Sequence, residues 1–424
     1  MAVALPGARF VGVDAAPGAI ARGRRLVAAL SLGNVTLEAL AIEDFAPAPA
    51  SFDYVIAHGV YSWVAPAARD RLLELCRIAL DRDGVAYVSY NALPGGRARQ
   101  ALRDMLRFHT AAVTDPRERI AEGRALLRFL VEGAPAQSEL RGHARELLDR
   151  SDASLLHDDL AEVNESVYFH EFVAHAARHG LQYVAEADFF EMQIGAASAP
   201  AADALLGVED PVRREQYLDF LKGRMFRQTL LCRAGAAVDR TPRPAVIADL
   251  AVSTEAKRRG QVFEGPAGST LTTDSPLVAG ALERAARSWP AALWVRDLAA
   301  DEAERAALCD ALLRAYAANL VALHVHPPRL ATAPGETPRA SPLARHQAQA
   351  GELVTNLRHA SVRIEDELGR QLLALLDGTR DRAALAAQLR AFLAERGERL
   401  SDAQLRDGLQ RSLQGLARLA LLQG

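Results

Sequence analysis

The chain has almost no lysine: Lys222 and Lys257 are the only two, and arginine carries nearly all of its positive charge. The 50 Lys and Arg residues face 53 Asp and Glu, for a net charge of −3. That balance leaves no basic excess for a nucleic-acid backbone or an anionic membrane surface. Cysteine is equally scarce. Cys76, Cys232 and Cys309 are isolated, odd in number and set in apolar surroundings, which points to buried free thiols instead of a disulfide framework or a thiolate metal site. No apolar run reaches the length of a membrane span. The N-terminus has no charged segment leading into an apolar one, so a cytoplasmic protein is expected. Neither a Walker loop nor a nucleophile elbow occurs.

Half of the 424 residues are hydrophobic, and a chain of that length is expected to form two or three domains. Short apolar runs at 10–14, 35–37, 52–58 and 84–91 alternate with amphipathic helical segments at 17–30 and 66–80. That alternation predicts a parallel, doubly wound α/β sheet. Such a sheet normally opens with a strand and a Gly-rich turn that lays its backbone against a ligand. Met1 stands too close to Phe10 to hold that unit. Residues 97–159 read as helical throughout, and 165–180 as a further helix closed by Gly180. Strands are expected at 181–185 and 228–232, completing the sheet around the helical insertion. Pro242 and Pro244 mark a boundary within 233–260. Beyond it a strand leading into successive helices occurs twice, around 270–323 with two helices and a closing apolar run, and around 361–416 with three helices; strand, helix, helix, helix, short strand is the order of a winged-helix unit, and the Pro-rich stretch 327–342 lies between.

Asp14 closes the first apolar run ahead of a helix. In nucleoside-binding sheets an acid there accepts hydrogen bonds from ribose hydroxyls, and the competing reading is a cap for the helix that follows. His58-Gly59-Val60-Tyr61-Ser62-Trp63 follows the third run, where open α/β sheets carry ligand contacts. Tyr61 and Trp63 would wall a cationic group by cation–π attraction, or pack against the inserted helices. His170-Glu171-Phe172-Val173-Ala174-His175 lacks the four-residue histidine spacing of a zinc protease, since five residues turn the helix by about 140°. His175 and His179 have the right spacing but no evident third ligand, so solvated or satisfied histidines are expected.

Longer strings carry a resemblance. They are Phe10-Val11-Gly12-Val13-Asp14, the 52–64 segment with His58-Gly59-Val60-Tyr61-Ser62-Trp63, Ala86-Tyr87-Val88-Ser89-Tyr90-Asn91 with Pro94-Gly95, and Asn164-Glu165-Ser166-Val167-Tyr168-Phe169-His170-Glu171-Phe172. To these are added Phe226-Arg227-Gln228-Thr229-Leu230-Leu231-Cys232, Val354-Thr355-Asn356-Leu357-Arg358 and Leu376-Asp377-Gly378-Thr379-Arg380. Together, over essentially the whole chain, they resemble class I S-adenosylmethionine-dependent methyltransferases with a methyltransferase regulatory domain, a group that includes rickettsial-type protein-lysine methyltransferases.

The resemblance implies a Rossmann-like sheet lacking its first strand in a core over 1–235, with a helical insertion at about 97–164. It implies a linker at 236–259 and winged-helix-like units at 260–345 and 346–424. It gives S-adenosylmethionine as cofactor, a protein substrate, and a methyl-transfer site lined by His58, Tyr61 and Trp63. Asp14 would hold the donor's ribose. The acid many class I enzymes place at the adenine aligns with Ala41, which leaves the backbone amides of Ala41 and Ile42 and the side chain of Glu43 there. The family's acidic, glycine-rich E/D-x-G-x-G loop has no counterpart after Met1, so a reading frame extending upstream is expected. In the family's order, 3-2-1-4-5-7-6, the missing strand belongs between the 10–14 and 52–58 strands.

Overall fold

Residues 1–195 and 198–424 are described by a computed structural model, and they fall into two units, Met1–Leu40 with Thr241–Gly424, and Ala41–Arg240. The first begins with β1 (Phe10–Asp14), α1 (Pro17–Ala29) and β2 (Val35–Ala39), the two strands pairing in parallel from Phe10–Val35 to Asp14–Ala39. Pro17 starts α1 where a missing backbone N–H costs nothing.

The second unit carries β3 (Phe52–Ala57), α2 (Pro66–Ala79) and β4 (Leu80–Asn91). An inserted helical bundle follows: α3 (Arg97–His109), α4 (Pro116–Gly133), α5 (Glu139–Leu148) and α6 (Asp152–Ser154), which runs on as a π-helical turn, Leu155–Asp159. The bundle has its own core of Leu102, Leu106, Leu127, Leu147, Leu155 and Leu160. Then come α7 (Phe169–Arg178), β5 (Leu181–Glu186), α8 (Ala199–Leu206), α9 (Pro211–Lys222) and β6 (Phe226–Arg233).

The sheet order is β3-β4-β6-β5, with β3 and β4 parallel and β6 antiparallel to both neighbours. The strands at 181–186 and 226–233 therefore complete a sheet with β3 and β4. No ladder among the described residues joins β1 to β3. The two ladders are the stretches that the expected order sets on either side of its first strand. Ala86, Val88 and Tyr90 on one face of β4 pack with Leu72, Leu73 and Cys76 of α2 and Phe172 and Ala176 of α7, and each fully buried large side chain there contributes about 1.5–3 kcal/mol.

The remainder of the first unit contains β7 (Ala251–Ser253), β8 (Lys257–Arg259), β9 (Val262–Glu264), β10 (Thr270–Thr272), α10 (Pro276–Arg287), β11 (Leu293–Trp294), α11 (Glu302–Ala317) and β12 (Ala322–His324). The expected linker at 236–259 is corrected here. All three residues of β7 are buried, and the strand lies between β11 and β12 in their sheet. Two prolines and a polar surround mask an apolar run of only Leu250-Ala251-Val252. The last segment, α12 (Pro342–Ala348), the hairpin β13 (Leu353–Thr355) and β14 (Ser361–Arg363), α13 (Glu367–Leu375), α14 (Arg382–Glu395) and α15 (Asp402–Arg418), closes on a separate leucine-rich core. Asp366 caps α13, and Ser401 with Gln404 forms a capping box on α15.

Candidate active site

His58 is exposed immediately after the C-terminal end of β3, the end at which open α/β sheets hold ligands. Its Nδ1 lies 3.1 Å from the Tyr87 hydroxyl and 3.0 Å from Ser89 Oγ. Tyr87 in turn donates to Gln228 Oε1 at 2.8 Å, and the Gly59 amide donates to Ser89 Oγ at 2.8 Å. Partial burial pushes the Tyr87 hydroxyl above its ordinary pKa, keeping its proton in place. With that proton directed to Gln228, the Tyr87 oxygen is placed to accept from an Nδ1–H of His58, the tautomer that leaves Nε2 its lone pair. Phe226 stands edge-on to the imidazole at 6.1 Å between centroids. Gly59 has φ +65°, a left-handed conformation that a side chain there would disfavour by about 1–2 kcal/mol.

Tyr61 does not line this cluster. Its side chain is 3% exposed, in the core with Tyr90 and Phe172, and its hydroxyl is bonded to His175 Nδ1 at 2.8 Å. The expectation that it walls the transfer site is corrected, because the 3-10 turn Tyr61–Trp63 points it toward α7 instead. Trp63 is half-buried on the same turn and borders a cleft of about 290 Å³ with Asn91, Arg99, Arg103, Asn164 and Phe226. Its indole N–H is buried without a partner.

The three residues expected at the adenine form a 3-10 turn: Ala41 is its N-cap, Ile42 packs against the sheet core, and Glu43 is exposed. Asp14, in the other unit, is exposed at the end of β1, and its Oδ1 accepts from the Ala16 amide at 2.7 Å. One oxygen thus prepares α1 as a cap would.

A wider cleft, of about 790 Å³, is bordered by Asp188, Phe190, Glu191, Lys222, Phe226 and Gln228. Phe226 and Gln228 also face His58 and Tyr87. The opposite face of β6 is fixed by a buried ion network. Arg227, fully buried, donates to Asp219 through Nε and Nη2 at 2.9 Å each, to Glu186 at 2.6 Å and to Glu215 at 3.1 Å, with its guanidinium 3.7 Å from the Phe169 ring centroid. Burial alone would lower the Arg227 pKa, but the carboxylates of Glu186 and Asp219 outweigh it and hold the charge.

Tyr87, Ser89, Phe226 and Gln228 escape a reading that looks for motifs along the chain. Strand alternation carries the signal that finds them, since residues two apart on adjacent β4 and β6 share the face that receives His58.

The sheet orders, the α/β crossovers and a polar cluster at the carboxyl ends of β3 and β4 define the class I methyltransferase fold. Three family models match: "Methyltransferase domain" over residues 1–86, "Predicted methyltransferase regulatory domain" over 151–233, and "PKMT, C-terminal winged helix domain" over 336–421. The uncharacterized protein RP789 of Rickettsia prowazekii is 39% identical over 244 residues, 56% of this chain and 44% of that protein. RP028 of the same organism is 32% identical over 178 residues, 41% of this chain and 71% of that protein. The aligned region thus spans less than half the length of RP789. The structure of PKMT2 from Rickettsia typhi has a TM-score of 0.86 at 24% identity, covering 100% of this chain and 91% of that one. Its complex with AdoHcy gives 0.84 at 23%, with the same coverage. The chain belongs to the class I S-adenosylmethionine-dependent methyltransferases that carry a regulatory domain and a PKMT-type winged helix.

Proposed function

We propose that this chain transfers the methyl group of S-adenosylmethionine to a protein side chain, lysine in preference, in a cytoplasmic setting. The observation that carries this reading is the hydrogen-bond chain Gln228–Tyr87–His58 at the carboxyl end of β3, which suits an Nδ1–H tautomer with Nε2 as the base. A lysine ammonium must lose its proton before it can attack. In this reading His58 Nε2 takes that proton. The amine lone pair forms the new N–C bond, and the C–S pair leaves with the sulfur as S-adenosylhomocysteine. The protein supplies alignment and desolvation without a covalent intermediate. Asp14 would hold the ribose, and the amides of Ala41 and Ile42 with Glu43 the adenine. The 790 Å³ cleft has Asp188 and the ring of Phe226 in its lining, which suit a cationic acceptor.

One observation favours a second reading, a non-catalytic protein-binding module derived from a methyltransferase: one carboxylate oxygen of Asp14 is already engaged by the Ala16 amide at 2.7 Å. Calorimetric titration with S-adenosylmethionine, run beside transfer of its labelled methyl group to protein acceptors, separates the two. The enzyme reading expects saturable donor binding, label on lysine, and a fall in turnover of about 10²–10⁴-fold in His58→Gln at unchanged donor affinity. Absence of donor binding supports the module.

A further inference from the structure

Behind the turn that bears Tyr61 and Trp63, α2 and α7 bring three groups with lone pairs to one point. Asp70 projects from α2. His175 lies in the last turn of α7, and His179, four residues on, at its C-cap. A four-residue step puts both imidazoles on one helix face. His175 Nε2 and His179 Nε2 lie 2.8 and 2.9 Å from the same oxygen, Oδ1 of Asp70. One ligand atom from each residue lies within 4.8 Å of the other two. The third group that the sequence does not reveal is thus supplied from a position 105 residues away from His175.

The other nitrogen of His175 is also committed. Its Nδ1 is 2.8 Å from the hydroxyl of Tyr61. A neutral His175 has one N–H to place. A metal ion at Nε2 would place that N–H on Nδ1, where the oxygen of the Tyr61 hydroxyl stands ready to accept it. A ring nitrogen tied to a second partner behind a His/His/Asp set is the pattern by which proteins orient metal-binding imidazoles.

We propose that Asp70, His175 and His179 bind a divalent transition-metal ion, zinc foremost, with its outer side open to water. Two imidazoles and a carboxylate suit zinc, and three protein ligands leave a position for solvent. Zn–N bonds of about 2.0–2.1 Å set tetrahedral ligand atoms roughly 3.3 Å apart, about half an ångström more than the two separations from Asp70 Oδ1, and the half-exposed Asp70 side chain is free to draw back that far. The ion would clip α2, within the methyltransferase-domain match, to α7, within the regulatory-domain match. Through Tyr61 it would brace the turn that follows His58.

The test uses the full chain, stripped with chelator, and zinc alone as titrant. One equivalent should bind with low-micromolar affinity or better, and Co²⁺ in its place should give visible d–d absorption. His179→Ala should weaken zinc binding about 100-fold or more. Tyr61→Phe, which keeps the ring and removes the outer bond, should weaken it about 10–100-fold. His143→Ala, whose imidazole pairs with Glu146 at 3.2 Å, should leave it unchanged. Circular dichroism and melting without metal check that each variant folds. Should His179→Ala fail to fold, Asp70→Asn keeps the side chain's shape and must show the same loss. Equal zinc affinity in the parent and the folded ligand variant, or no saturable 1:1 binding below about 100 μM, overturns the proposal.

Discussion

Removal of the Arg227 guanidinium tests how the buried network holds the site. In Arg227→Met the chain loses five hydrogen bonds and one cation–π contact. Glu186, Glu215 and Asp219, with side chains at most 6% exposed, are left with Arg224, whose Nη1 is 3.3 Å from Asp219 and 3.7 Å from Glu215. Breaking a buried pair by deleting one partner costs about 3–5 kcal/mol, because the remaining charge is uncompensated. For a unit the size of 41–240 that corresponds to a fall in melting temperature of about 6–20 °C. Arg227→Lys keeps the charge but loses the bidentate grip on Asp219, and should fall between. The pH dependence is diagnostic. Burial raises the pKa of Glu215 and Asp219 in the folded chain, and the arginines pull against it. A carboxylate with a raised folded pKa stabilises at low pH and loses that contribution as pH rises through the folded value. Without Arg227 both values climb further, so the deficit against the parent should be larger at pH 8 than at pH 5. Calorimetric melting of parent and variant across that range decides. A shift under about 3 °C, or a deficit that grows on acidification, would refute the reasoning.

Asp14→Ala should weaken S-adenosylmethionine binding about tenfold or more in calorimetric titration, through loss of charge-assisted hydrogen bonds to the ribose; unchanged affinity would confine Asp14 to its bond with the Ala16 amide. Trp63→Ala, which opens the 290 Å³ cleft, should lower turnover more than donor affinity, whereas a core-packing role costs about 3–5 kcal/mol of stability and lowers both. His324 has its pKa lowered to about 4 by burial, with Arg358 adding to the effect, and accepts or donates at Ser253 Oγ 2.9 Å away. The folded chain keeps it neutral while the unfolded chain protonates it, so its contribution is present above about pH 6.5 and is lost as pH falls toward 4. His324→Gln should flatten that slope in denaturant midpoints measured across this window.

Sheet strands and their neighbours were legible because continuous apolar runs such as those of β3 and β4 are long enough to show above their surroundings. The order β3-β4-β6-β5, and the separate pairing of β1 with β2, follow the resemblance closely. β7 was not legible, since three buried residues leave no period to read. In the site, His58 announces itself by following a strand, whereas Tyr87 and Gln228 meet only through pairing of strands 141 residues apart. Tyr61 misleads because the helical turn that carries it rotates neighbouring aromatics to opposite sides: Tyr61 enters the core and Trp63 the cleft. Asp70 joins two histidines more than a hundred residues away, a convergence no local spacing encodes.

The scarcity of lysine has a practical reach. Lys222 is anchored on the Glu191 carbonyl at 2.6 Å with its ammonium beside Phe190, and Lys257 opens the exposed strand β8. A chain proposed to modify lysine therefore offers at most two of its own to self-labelling. Radioactive methyl groups would leave its gel band almost dark, and a bright band in a mixture would belong to the partner.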